Sequence, residues 1–449
     1  MVASRDLHCP ETCARRYFRV DDPTEHPDAQ LSELEPARSN GAPTTPPSPS
    51  RGLGPLALVL GGGGARGAYQ AGVVSAIASR FPTLELPILT GISAGAISTA
   101  FLAASGKSVR EAADDLVKLW LSVASKNVYR VDTSSLLLNV ARWGWRLVAG
   151  GLSDRTEHRQ SLVDTTPLAQ FLRSQLPTDA NGGIAGIDQN IASGRLKAVA
   201  LTATSYTTGQ SVTWVQGRNL SLWERPQRRA EIVPLNIDHI MASSALPLLF
   251  PAIRVDKEWY GDGGIRLTAP LSPALHLGAS RILTISTRYA RTRAESDVPL
   301  IVGYPPPAQV VGTLYNAVFL DLIDQDIHRL QMVNKLLGKI PDAARNGMRP
   351  VDILVIRPSQ DLGKMARRFE PSLPPALRFL TRGWGTRRTA SPDMLSLMMF
   401  QPDYLRALIE LGEADVAADW KRIEAFLHGA RVAADVPAAT ILDEQAPRP

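Results

Sequence analysis

The chain has 449 residues, 44% hydrophobic and 20% charged, with a net charge of +6 and a sequence pI near 9.4. That balance excludes a wholly disordered or fibrous chain. The basic excess favours anionic surfaces, lipid headgroups or nucleic acid, without choosing between them.

Residues 1–54 end in GAPTTPPSPSRGLGP and read as a disordered tail, because they bury too little apolar surface to offset chain entropy. They hold both cysteines, Cys9 and Cys13, with His8 beside them, which support neither a disulfide framework nor a zinc site; no metal or cofactor is expected. No basic stretch followed by an apolar run marks a secretory leader, and about eighteen uninterrupted apolar residues occur nowhere. The expectation is a cytoplasmic protein that meets a membrane only from outside.

Order begins at Leu56. LALVL is apolar without alternation, as in a parallel strand buried on both faces; four glycines follow, then a helix carrying Ala71, Val74 and Ala78. A second unit repeats the pattern: a strand Pro87–Thr90, a tight turn, and a helix of small residues ending near Gly106. Two strand-turn-helix units in succession predict a three-layer α/β fold with a mainly parallel central sheet. The stretch from Gly106 to Gly194 reads as mainly helical and includes SLLLNVARWGWRLVAGG. LKAVALTATSYTTG is a strand with QSVTWVQG as hairpin partner, and RILTISTRYA and VDILVIRPS are later strands. Leu320, Ile323, Ile327, Leu330, Val333 and Leu337 step by three or four, predicting one long helix from Val310 to Leu337; a helical region then runs to about Ala430, before a tail. No internal repeat is found.

The second turn fits Gly-x-Ser-x-Gly at Gly91, Ser93 and Gly95. Small flanking residues allow a sharp strand-to-helix turn that raises a serine at the helix N-terminus, where free N–H groups favour negative charge. A serine hydroxyl needs a base. In the chain order Ser, Asp, His, the pair Asp262 and His276 is the best triad candidate, although His276 fits equally well as a packed helix histidine. Asp262, between Gly261 and the pair Gly263 and Gly264, can approach a serine directly, or be an ordinary Asp-Gly turn.

Taken together and in this order, Gly62-Gly63-Gly64-Ala65-Arg66-Gly67, Gly91-Ile92-Ser93-Ala94-Gly95 and Asp262-Gly263-Gly264 resemble the patatin-like phospholipase family. SLVDTTPLAQFL, from Ser161, and MASSALPLLFPAIRV, from Met241, are similar to bacterial members. The resemblance runs from about Leu56 to Thr287. It implies cleavage of carboxylic-ester bonds in lipids or phospholipids by a serine-aspartate dyad, with Ser93 as nucleophile, Asp262 as base and an acyl-enzyme intermediate. It places oxyanion donors in Gly62–Gly64 and makes Arg66 a residue that orients the loop or meets a phosphate, with a solvated surface arginine as the plain reading. The implied organisation is a catalytic domain over 55–290, a mainly helical extension over 291–430 that adds at least one strand, and a disordered tail over 431–449.

Two other readings stay open. Gly62, Gly64 and Gly67 fit the Gly-x-Gly-x-x-Gly of a nucleotide-binding oxidoreductase, but the next strand ends in Thr90, and Glu85 precedes that strand instead of closing it. A non-catalytic lipid-binding protein on the same fold is the other. ARWGWRLVAGG and MARRFEPSLPPALRFLTRGWGTRR, which holds Arg387 and Arg388, mix arginine with apolar and aromatic residues and read either as peripheral membrane contacts or as packed helices with solvated arginines; no nucleic-acid motif appears.

Overall fold

The computed structural model describes residues 53–130, 163–247, 249–299, 301, 303–319, 322–374, 377–378 and 392–432. The N-terminal tail with its cysteines, the ARWGWRLVAGG stretch, Arg387, Arg388 and the chain beyond 432 lie outside the described residues.

Among the described residues ten strands build one sheet: β1 (Leu56–Leu60), β2 (Ile88–Ile92), β3 (Ala198–Ser205), β4 (Ser211–Gly217), β5 (Glu224–Arg225), β6 (Arg228–Ile232), β7 (Ile253–Val255), β8 (Glu258–Asp262), β9 (Arg281–Ile285) and β10 (Asp352–Ile356). Their order is β10-β9-β1-β2-β3-β4-β6-β5, with β8 pairing both β3 and β7. From β10 to β3 every neighbour is parallel. QSVTWVQG is β4, antiparallel to β3 as its sequence suggested.

The apolar run of β1 reflects burial on both faces. Leu56, Leu58 and Leu60 enter one core, and Ala57 and Val59 enter the other. The first core is filled by helices α1 (Gly67–Arg80), α2 (Ala94–Ala104) and α3 (Val109–Ser122), together with the helix Pro402–Ala418. The second holds Leu271, Ala274 and Leu277 around the short helix Ser272–His276, and Ile323 and Ile327 of the helix Leu322–Leu337. The result is three layers, helices on each side of a mainly parallel sheet.

The helix expected from Val310 to Leu337 is described as two, Pro307–Phe319 and Leu322–Leu337, with 320 and 321 outside the described residues. The pair β5 and β6, at the sheet edge, was not anticipated; the stretch ERPQRR, with Glu224, Arg225, Arg228 and Arg229, carries no apolar pattern to read. The C-terminal region is built into the same sheet, because β10 pairs β9 along Asp352–Ile356.

Helix α1 and the helix Pro402–Ala418 cross at glycines. A methyl group on Gly72 would overlap the Ile409 carbonyl, and one on Gly412 would come within 2.6 Å of the Tyr69 carbonyl oxygen. Alanine at either position gains up to about 1 kcal/mol of helix propensity, whereas overpacking such a contact costs about 1–3 kcal/mol. Gly72→Ala and Gly412→Ala are therefore expected to lower the urea midpoint, and an unchanged or raised midpoint would show that the crossing has slack.

Candidate active site

Ser93 stands between β2 and α2 with φ 57° and ψ −127°. A non-glycine residue in that region carries on the order of 1–3 kcal/mol of strain, so the surroundings must hold it. They do so through backbone approach and two serines. Gly95 lies so close to β1 that a Cβ would overlap the Leu60 carbonyl. The Ser93 N–H donates to Ser243 Oγ at 3.1 Å, and Ser243 Oγ donates to the Thr202 carbonyl at 2.7 Å. Ser244 Oγ donates to the Ser93 carbonyl at 2.9 Å. Sequence reasoning gave Ser243 and Ser244 no role; the only signal was their place in MASSALPLLFPAIRV.

Asp262 reaches Ser93 through sheet register. Ile92, the last residue of β2, is opposite Thr202 of β3, and the next β3 residue, Ala203, is opposite Asp262 of β8. Strand β8 thus takes up pairing with β3 where β2 turns away into the elbow. Thr204 Oγ1 donates to the Asp262 carbonyl at 2.9 Å, and the Asp262 N–H donates to the Ala245 carbonyl at 2.9 Å. Gly263 then passes against β3 so closely that a Cβ would overlap the Thr202 carbonyl.

The Asp262 side chain is fully buried. Its Oδ1 accepts the Gly264 N–H at 2.9 Å, and its Oδ2 has no hydrogen-bond partner among the described residues. Burial pushes its pKa up to about 7, while the adjacent Ser93 hydroxyl and the Gly264 N–H pull it down.

The glycine loop lies beside the elbow, and a Cβ on Gly62 would come within 3.1 Å of Ser93 Cβ. Gly63 and Gly64 have φ of 151° and 54°, conformations that favour glycine. The loop's carbonyls are held inward: Gly61 by Gln70 Nε2 at 3.0 Å, Gly62 by Thr287 Oγ1 at 2.8 Å and Gly63 by the Arg66 N–H at 3.0 Å. The N–H groups of Gly62, Gly63 and Gly64 make no backbone hydrogen bond outside the regular elements among the described residues. Gly67 packs against the Trp120 ring, and Gly91 against Thr99.

Arg66 is neither solvated nor open to a phosphate. It is 2% exposed, with Nε donating to Ser396 Oγ at 2.7 Å and Nη2 to Asp393 Oδ1 at 2.6 Å. Asn316 Nδ2 donates to the other Asp393 oxygen at 2.7 Å. Arg66 thereby ties the loop to the helix Asp393–Met398.

Beside Ser93 opens an apolar cavity of about 40 Å³, lined among others by Gly64, Ile97, Trp120, Phe171, Leu246 and Phe250. A second of about 30 Å³ touches Gly62, Gly264, Thr287 and Val318. His276 stacks on Trp223 at 4.6 Å, with 6° between the rings. His239 accepts the Asn236 N–H at 3.0 Å on Nδ1 and packs against Trp214. No histidine among the described residues forms a hydrogen bond with Ser93. Glu85 is exposed ahead of β2, at the end of the parallel sheet opposite the glycine loop, where it cannot serve a ribose held by that loop. Among the described residues no group of three or more His, Cys, Asp or Glu is placed to hold a metal ion, and no helix is long and apolar enough to cross a membrane.

A raised carboxyl pKa has a defined effect on stability. From the ordinary carboxylate range near 3.8 up to about 7, only the folded chain keeps the Asp262 proton, so stability falls as pH rises through that window and is level above it. Asp262→Asn removes the ionisation. It is expected to melt higher than the parent at pH 8, by on the order of a few kcal/mol, with the gap closing toward pH 4. Parallel melting curves at both pH values would contradict a desolvated carboxylate.

The family model for patatin-like phospholipase matches residues 58–275. Three solved structures align over 84% of this chain. VipD from Legionella pneumophila does so at 13% identity, over 78% of its own chain, with a TM-score of 0.28. Human GIVD cytosolic phospholipase A2 in complex with methyl gamma-linolenyl fluorophosphonate does so at 12% identity, over 59% of its chain, with a TM-score of 0.41. ExoU of Pseudomonas aeruginosa, in its heterodimeric complex with SpcU, does so at 15% identity, over 61% of its chain, with a TM-score of 0.26. The chain therefore spans about three fifths of the latter two. No curated protein matches it by sequence. The segment that matches the patatin-like phospholipase family, residues 58–275, contains the glycine loop, the elbow and Asp262–Gly264.

Proposed function

We propose that the protein is a lipid acyl hydrolase that cleaves carboxylic-ester bonds through Ser93 and Asp262. The observation that carries the reading is a fully buried carboxylate with pKa raised to about 7, placed by strand register at a strained serine elbow. A base poised near neutrality fits direct proton transfer from a hydroxyl. The match to the patatin-like phospholipase family supports a lipid substrate.

Asp262 takes the Ser93 proton as Oγ attacks the ester carbonyl. The oxyanion forms against the N–H groups of Gly62–Gly64, in a loop whose Gly61, Gly62 and Gly63 carbonyls are already hydrogen-bonded within the protein. Collapse breaks the ester bond, and Asp262 returns its proton to the departing alkoxide, leaving an acyl-Ser93. Asp262 then deprotonates a water that attacks the acyl carbonyl, and the carboxylic acid leaves as Ser93 recovers its proton. The acyl chain lies in the apolar cavity beside Ser93. Because such substrates reside in bilayers or micelles, peripheral membrane contact is part of this reading.

Turnover of a panel of glyceride, lysophospholipid and phospholipid esters tests it. Ser93→Ala and Asp262→Asn are expected to lose on the order of a thousandfold or more in kcat. In the parent, kcat/KM is expected to rise with pH to a plateau above about 7, because the base works only when ionised. Retained turnover in Ser93→Ala, or a profile with no inflection near neutrality, would rule the mechanism out.

A further inference from the structure

The cavity beside Ser93 is completed by chain far outside the family-matched segment. Leu397, Met398 and Phe400 line it, across from Val128, Phe171 and Phe250. This stretch is fastened at several points. Asp393 pairs with Arg66 at 2.6 Å, with side chains only 19% and 3% exposed, and the Leu397 carbonyl fills the space where Gly64 lacks a Cβ. Tyr129 Oη donates to the Met398 carbonyl at 2.8 Å, and Ser125 Oγ to the Phe400 carbonyl at 3.0 Å. The Tyr129 ring sits between Phe250 at 6.2 Å and Phe400 at 6.1 Å. The wall of the pocket and the glycine loop therefore form one rigid piece.

The lining is polar only where it meets the serine, at Ser93, Ser244 and the Gly64 backbone. Its occupant is hydrocarbon.

Resting on the lipid-ester reading above, we propose that Leu397, Met398 and Phe400 set acyl-chain length, as the apolar wall that the chain meets beyond Ser93. The C-terminal stretch acts as a gauge for the matched domain: it closes the pocket at a fixed distance from the nucleophile because Arg66 and Gly64 fix it to the loop beside Ser93.

The test is kcat/KM for p-nitrophenyl esters from butyrate to palmitate, in the parent, Met398→Ala, Phe400→Ala and the milder Phe400→Leu. Each truncation should raise the dodecanoate-to-butyrate ratio, Phe400→Ala by about tenfold or more and Phe400→Leu by less in the same direction. A ratio unchanged in Phe400→Leu and Met398→Ala while butyrate turnover persists overturns the gauge. Ser93→Ala on the same esters separates the two claims: its loss of turnover keeps the hydrolase reading whatever the ratios do, and its retention removes both.

Discussion

Strand β3 carries β4 along one edge from Ala198 to Thr204, and β2 along the other only as far as Thr202. The rest of that second edge is open to another strand, and β8 fills it. This one vacancy in the ladder lies where β2 bends into the elbow, so whatever residue of β8 pairs with Ala203 lands beside Ser93. That residue is Asp262. Because the site is the interior of a sheet covered on both faces, the carboxylate arrives without water, and desolvation does the rest. The proposed base needs no histidine to sharpen it.

A second constraint fixes the loop opposite. Its carbonyls are taken up by Gln70, Thr287 and the Arg66 backbone, and the Arg66 side chain runs to Asp393 and Ser396. Removing one partner of such a buried pair leaves an uncompensated charge, which costs far more than the pair contributes. The helix Asp393–Met398 is held accordingly, and with it the wall of the pocket. The glycine loop, the Ser93 elbow and the cavity are thus supported by residues that span nearly the whole described chain.

Much of this was legible in the sequence, for local reasons. LALVL followed by glycines and a helix announces a buried parallel strand through composition alone, and the elbow at Ser93 needs small neighbours within two residues. The three-layer α/β class follows from the repetition of that unit. What stayed hidden depends on distance along the chain. Taken alone, Asp262 reads first as an ordinary Asp-Gly turn, because only its register against Ala203 brings it toward Ser93. Arg66 offered no sign of Asp393, 327 residues away. Ser243 and Ser244 resembled any helix end. The edge strand β5 is wholly charged, and β6 has only Ala230 and Ile232 among its charged residues, too little of a pattern to read.

The central claim is that Asp262 alone activates Ser93. Its most direct measurement is the rate and position of covalent labelling by a fluorophosphonate, read by peptide mass spectrometry. The account predicts one adduct, on the peptide bearing Ser93, formed at the parent rate in His276→Ala and at least about a hundredfold more slowly in Asp262→Asn. An adduct on another serine, or labelling of Ser93 that is indifferent to Asp262, would contradict it.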